Sequence, residues 1–371
     1  MKSLLLAIDP GSTSTKFSLY SGEQPLYMEN IHHPNHELGA FLSIAGQAEY
    51  RLQMITSHLQ THGFYLDKLE AVVGRGGFLH PLQSGVYQVN QEMVTDLQTA
   101  KYGEHASNLG GILAYTLAQS LHIPAYIVDP IVVDELDDLA RLSGIPEIQR
   151  KSYVHALNIR SVARLVAQSL GKSMAECSFV VAHLGSGISV VAMKNGRMVD
   201  VSNANSGGPY SVERAGGLPT FELVKLCYSR RYTEKELLQR ITKEGGMYAY
   251  LATKDLQQVE QRIAAGDDYA TLILEGMVYQ IGKEIAAMAA VLEGKMDRII
   301  LTGGMAHSEW LVSRLTRKVS FLAPVEVFPG EHELVALAQS VLRVLRGQEQ
   351  AQTYARLVPQ SLRDLSHQLL P

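Results

Sequence analysis

One pattern constrains this chain more than any other, because it occurs twice. Residues 4–9 are an apolar stretch of strand length closed by Asp9. Pro10-Gly11-Ser12-Thr13-Ser14-Thr15-Lys16 follows, and then an alternating run to Tyr20. Residues 179–192 repeat the plan, with an apolar run through His183 and Leu184, a Gly185-Ser186-Gly187 turn, and a second apolar run. Each reads as strand, tight polar turn, strand. In the first, Gly11 lets backbone approach a ligand closely. The hydroxyls of Ser12, Thr13, Ser14 and Thr15 and the Lys16 ammonium offer donors to an anion of phosphate type. Asp9, at the strand end, is placed to hold a hydrated Mg²⁺ beside that anion. An ordinary polar turn accounts for this one stretch equally well. What decides is the echo, with a third stretch in which a buried-type strand, Arg298 to Thr302, ends in Gly303-Gly304, where backbone can lie against a nucleotide's base or sugar. Two phosphate-type hairpins and one glycine-ended strand predict an α/β chain of two similar lobes around a nucleotide cleft.

With 371 residues, 46% of them hydrophobic, the chain can build two domains with separate cores. A net charge of -4 with interspersed signs gives no footprint for nucleic acid. No segment approaches membrane-spanning length, and Met1-Lys2-Ser3 leads straight into a strand rather than a signal peptide. Cys177 and Cys227 lack partner spacing, so neither a disulfide framework nor a zinc site is expected, and a reducing cytoplasm fits.

Between the hairpins, residues 37–63 have helical spacing. The next strand ends in Gly74-Arg75-Gly76-Gly77, where small neighbours leave Arg75 reachable, either to grip a carboxylate bidentately or as a surface arginine in a turn. Residues 94–121 read as helical, with His105 a packed histidine more readily than a catalyst. The strand before Asp129-Pro130 again ends in a carboxylate. Strand ends are where open α/β sheets place their chemistry, so Asp129 is a second metal candidate, with capping of a helix near Val133 as the alternative. A helix between 150 and 171 suggests lobes of 1–150 and 151–345 and a tail, 346–371, packing on the first lobe. The polar segment 201–219 is too long to be idle; its Arg214, set among glycines like Arg75, either faces the same anionic centre or is a solvated loop charge. Residues 220–290 are mostly helical with a break at 248–254, and the helix over 269–292 carries Met277 and Met288 as core. Glu331 or Glu333, at the start of a helix to about Leu345, reaches the metal or simply favours the helix dipole.

These residues carry a resemblance to a known family. In order and at these distances, the 9–16 turn, His183-Leu184-Gly185-Ser186-Gly187 and Leu301-Thr302-Gly303-Gly304 resemble the two phosphate motifs and the adenosine motif of the acetate kinase family. Its butyrate kinase and branched-chain fatty acid kinase members are the most similar, over nearly the whole chain. The resemblance implies a two-lobed actin-like ATPase (ribonuclease H-like) fold with duplicated mixed sheets, lobe closure on ATP, and a homodimer or higher oligomer through the second lobe. It implies His105, Asp129, His155, His183, Arg214 and Glu333 as site residues. There are two departures. Asp9 stands where acetate kinases have asparagine, and Val72 aligns with their substrate arginine, which leaves Arg75 as its stand-in.

The reaction so implied is reversible phosphoryl transfer from ATP to a short-chain fatty acid. A carboxylate, with a pKa near ~4.3, is already a nucleophile at neutral pH, so no general base is required. Repulsion between two anions is the obstacle. Arg214 and His183 are expected to stabilise the phosphoryl group, His155 and Asp129 to be further catalytic residues, and Arg75 or a neighbour, with His105, to orient the acid. Asp9, Asp129 and Glu333 are expected to hold Mg²⁺, and Gly11, Ser12, Ser14, Lys16, Gly185, Ser186, Gly187, Gly303 and Gly304 to bind the nucleotide. Four-carbon acids are favoured by resemblance, with acetate and propionate as alternatives. A sugar kinase using Asp129 as base is a more distant rival, and a non-catalytic nucleotide switch the most distant.

Overall fold

A computed structural model describes residues 4–205 and 207–356. The described residues divide into two compact units, one formed by 4–133 with 333–356 and the other by 134–332 without residue 206.

In the first unit β1 (Leu4–Pro10), β2 (Ser14–Ser21) and β3 (Gln24–His32) form an antiparallel meander, and β4 (Leu69–Arg75) and β6 (Ala125–Val128) extend the sheet parallel to β1. β5 (Val86–Gln88) adds antiparallel to β6, and β12 (Gln352–Thr353) adds parallel to β5, so the strand order is β12-β5-β6-β4-β1-β2-β3. β1 and β4 are buried along nearly their whole length, as parallel strands covered on both faces must be. Helix α4 (Asn108–Leu121) packs on β1, β4 and β6, as does α13 (Glu333–Leu345), while α2 (Ala48–Thr61) packs on α4. Helices α1 (Asn35–Leu38) and α3 (Gln91–Gln98) complete the unit; Asn90 caps α3 by accepting from the Met93 N–H at 2.9 Å.

The second unit repeats the plan. β7 (Ser178–Leu184), β8 (Ile188–Lys194) and β9 (Arg197–Val201) form the meander, and β10 (Arg298–Gly303) and β11 (Val325–Pro329) lie parallel to β7, in the order β11-β10-β7-β8-β9. α6 (Ala156–Ser169) packs on β7 and β10, and the long α11 (Asp268–Val291) on β7, β8 and β9. α5 (Asp138–Arg141), α7 (Thr220–Tyr228), α8 (Glu234–Thr242), α9 (Gly246–Leu251), α10 (Leu256–Ala264) and α12 (Glu309–Val319) fill in around them. The core joins Val180, Ala182 and Leu184 of β7 to Met277, Ile281, Ile285 and Met288 of α11, so the α11 methionines are core, as their spacing suggests.

Several expectations shift. The division falls after Val133 rather than near 150, and α13 belongs to the first unit, not the second. No helix spans 37–63 or 94–121: the first is α1, a loop and α2, and the second breaks at 99–107. No helix starts near Val133 for Asp129 to cap, and the break expected at 248–254 comes at its later half, since α9 runs to Leu251 and the next helix begins at Leu256. Of the expected tail, 352–356 lies on the first unit through β12 and Tyr354, whose hydroxyl donates to buried Asp96 at 2.8 Å; residues 357–371 lie outside those described.

Candidate active site

In the first unit, Asp9, Arg75 and Asp129 stand at or just beyond the carboxyl ends of the neighbouring strands β1, β4 and β6, the edge at which such sheets hold ligands. The β1–β2 register sets Asp9 opposite Lys16 and Pro10 opposite Thr15, and the Gly11 N–H closes the turn on the Ser14 carbonyl at 2.8 Å. Ser12, Thr13 and Lys16 are exposed at its tip. Arg75 Nη1 lies 3.2 Å from Asp9 Oδ1 and 3.9 Å from Glu333 Oε1, the first residue of α13. The glycines around Arg75 have a different cause from the one expected: a Cβ on Gly74 would collide with the Gly110 carbonyl of α4, and one on Gly76 with Pro130. They admit backbone packing, and the Arg75 side chain remains 34% exposed beside them. Asp129 adopts a left-handed backbone (φ 38) and is pinned to Gly85, whose N–H donates to Oδ1 at 2.7 Å. His105 is exposed in the loop before α4, not inside a helix, with Nδ1 2.9 Å from Ser107 Oγ and its ring against Phe78.

In the second unit, His183 is the last residue but one of β7, opposite Ser189 of β8 and fully buried. The Asn158 amide nitrogen lies 2.9 Å from its Nδ1 and donates to Thr302 Oγ1 at 3.1 Å. With the Asn158 amide in this orientation its nitrogen donates, Nδ1 accepts and the ring proton sits on Nε2. That Nε2 is a buried polar atom without a hydrogen bond among the described residues; Glu331 Oε1 is 3.4 Å away. His155, at the start of α6, stacks on His183 with ring centroids 4.0 Å apart and takes a 2.9 Å hydrogen bond to Ser189 Oγ. The 201–219 loop folds over the 185–187 turn: Ser211 Oγ donates to the Ser186 carbonyl, and the Arg214 guanidinium lies against Gly187, where any Cβ would strike it. Arg214 Nη1 donates to the Ala204 carbonyl (2.9 Å) and Asn205 Oδ1 (2.8 Å), and burial holds its pKa below the usual arginine value. At the end of β10, Gly303 is left-handed (φ 91) and pressed on the Leu184 carbonyl, while Gly304 opens onto free space.

A model of the Acetokinase family matches residues 147–329. Butyrate kinase 2 of Clostridium acetobutylicum is 47% identical over 355 residues, which cover 95% of this chain and 100% of that protein. The chain belongs to the acetokinase family. A probable butyrate kinase of Clostridium botulinum is likewise 47% identical over 351 residues, 94% of this chain and 99% of the relative. The fold is that of an acetate kinase from Porphyromonas gingivalis (TM-score 0.75, 19% identity, 92% of this chain and 100% of that one) and a propionate kinase from Francisella tularensis (TM-score 0.73, 18% identity, 91% and 98%). It is the two-lobed actin-like architecture that the resemblance implies.

In this acetokinase-family chain, no three acidic, histidine or cysteine side chains come together as metal ligands among the described residues. The donor set nonetheless suits Mg²⁺, which is held by one or two carboxylates with waters and substrate phosphates rather than by a protein cage. Asp9 and Glu333 supply such carboxylates around Arg75, and Asp129 is anchored through one oxygen. No helix is long and apolar enough to cross a membrane among the described residues. The residues that sequence reasoning missed are partners of the obvious ones: Asn158 beneath His183, Ser211 bridging to the second turn, and Arg51 beneath the first. Arg51 left one readable signal, since it shares a helical face with Ile55 and Leu59, a place where a charge needs a reason.

Proposed function

We propose that this chain is a butyrate kinase, transferring the terminal phosphoryl group of ATP to a short-chain fatty acid carboxylate and giving ADP and an acyl phosphate, reversibly. The observation that carries the reading is 47% identity across 95% of the chain to a butyrate kinase matched over its full length. The geometry of each unit agrees with it. The acid is already anionic and attacks the phosphorus directly, with ADP as the leaving group, so the protein's task is charge and placement. His183 suits that task, because Asn158 holds its ring through Nδ1 and its buried Nε2 has no hydrogen bond among the described residues, with Glu331 Oε1 3.4 Å away. His155 holds its ring from the side. Arg214, drawn over the second glycine turn, offers the guanidinium that accumulating charge on the phosphoryl oxygens requires. The 185–187 turn and the 11–16 turn are the phosphate contacts, with Gly11, Ser12, Ser14 and Lys16 in the first, and Gly303 and Gly304 receive the nucleoside. Asp9 and Glu333, with Asp129 beside them, hold hydrated Mg²⁺; when bound, the ion offsets charge on the phosphate chain.

Arg75 is bound to Asp9 and close to Glu333, so its part in orienting the acid, with His105, begins from an ion pair it must share. A second copy of the chain is the partner. The second unit presents exposed apolar stripes, Phe221, Val224 and Tyr228 on α7 and Leu272 and Tyr279 on α11, each at helical spacing. The deciding experiment is hydroxylamine trapping of acyl phosphate with Mg-ATP and acids from acetate to isovalerate. Hydroxamate that peaks with butyrate is the expected result; none with any acid, from protein that binds ATP, overturns the reading. A peak at acetate or propionate transfers the chain to those kinases, since one methylene in an apolar pocket is worth only about 1–3 kcal/mol.

A further inference from the structure

Arg51, on α2, is 1% exposed, yet it has no carboxylate within ion-pair distance among the described residues. Its guanidinium is spent on the first phosphate-type turn. Nη1 donates to the carbonyls of Gly11 (2.8 Å) and Ser14 (2.9 Å) and to Thr15 Oγ1 (3.0 Å), and Nη2 donates to the Ser12 carbonyl (3.2 Å). Gln47 Oε1 completes the fork, accepting from Nε at 3.1 Å and from Nη2 at 2.8 Å. Every acceptor is neutral, so the positive charge stays uncancelled, and although burial lowers the pKa to about 10 the group is charged at neutral pH.

Two consequences follow from the geometry. A trans peptide points its carbonyl and its N–H in opposite directions, and no peptide here is cis. Drawing the Gly11 and Ser12 carbonyls onto Arg51 therefore turns the Ser12 and Thr13 N–H groups away from it, toward the exposed tip. Neither has a hydrogen-bond partner among the described residues. Successive N–H groups aimed outward make an anion-binding concavity, here with a fixed positive charge behind it. Thr15 adds a second brace. Its hydroxyl oxygen accepts from Arg51 and shares a 2.8 Å hydrogen bond with His33 Nε2, and the His33 backbone N–H donates to the Thr13 carbonyl at 2.8 Å.

We propose that Arg51 is a positioning residue for ATP: it sets the carbonyls of the 11–15 turn inward, so that the N–H groups face the phosphate chain, and it supplies the buried positive charge beneath them. The proposal rests on the reading of this turn as a phosphate site. Gln47→Glu is the discriminating variant, because it keeps both acceptor contacts to Arg51 while cancelling its charge. A purely structural arginine would tolerate that change or gain an ion pair from it. The expected result is a melting temperature at or above that of the wild type, an unchanged KM for butyrate, and an ATP dissociation constant raised on the order of tenfold by calorimetry. Arg51→Lys keeps the charge but loses the fork. It should speed amide hydrogen exchange in residues 11–15 and raise KM for ATP more than it lowers kcat, and it carries the test alone if Gln47→Glu does not fold. Wild-type ATP affinity in both variants overturns the role of Arg51 and leaves the turn a phosphate site. Folded wild-type protein that binds no ATP overturns the reading of the turn itself.

Discussion

Arg214 and Arg51 both give hydrogen bonds to backbone carbonyls, but they differ in what their charge can reach. Arg51 is enclosed beneath its turn, while Arg214 is only partly buried, lies over Gly187 and keeps part of its fork available. Replacing Arg214 with alanine should lower kcat by ~10²-fold or more, as loss of one donor to developing charge does, with the melting temperature little changed; stopped-time assays at saturating ATP would measure it. His33 gives a prediction in pH. Burial first and the Arg51 charge second push its pKa down from 6.5 to about 4, so the folded chain refuses a proton that the unfolded chain accepts. Stability should therefore fall as pH drops from 6.5 toward 4 and level off below, and urea midpoints for His33→Gln should lack that component. The candidate site was proposed from the sequence where chemistry and glycine coincide along the chain, at 9–16, 183–187, 214 and 303–304. It was harder to read where a side chain serves a distant part of the chain: Asn158 holds the side chains of His183 and Thr302, and the apolar face that carries Arg51 says that its charge has a reason without saying which turn it serves.

At the scale of elements, both hairpins, the glycine-ended strand and the long core helix could be read from periodicity, because each satisfies its own pattern locally. The 94–121 stretch misled because apolar helical runs at its two ends bracket a polar segment, and the break there is imposed from elsewhere. Asn108 accepts from the Phe78 N–H at 2.8 Å and donates to the Gly103 carbonyl at 2.9 Å, which starts α4 only there and leaves His105 outside. The contact of β4 with α4 is equally non-local. Because a Gly74 side chain would meet the backbone of Gly110, Gly74→Ala must push the helix off the strand. A loss of about 1–3 kcal/mol is expected for overpacking of this kind, read as a lowered denaturant midpoint, with activity falling further because Arg75 is the next residue.

For the molecule as a whole, the exposed stripes on α7 and α11 predict self-association. Phe221 and Tyr228 are each 84% exposed, more than isolated surface aromatics explain. Light scattering should give a mass of two chains or more, and the double change Phe221→Asp with Tyr228→Asp should move it to one; wild-type protein found as a single chain at micromolar concentration would refute the interface. The division of the chain was misplaced for a physical reason: α13 has the same apolar spacing as the helices of the second unit, and only the sheet it covers reveals where it belongs. The first sheet is completed by α13 and β12, and the hydrogen bond from Asn90 to the Tyr354 carbonyl joins residues 264 positions apart. During synthesis on a ribosome, residues 134–332 emerge before those two elements exist. The middle of the chain can thus reach its final form while the earlier-made part waits with a bare sheet face and an open strand edge, so the half translated first is the half that closes last.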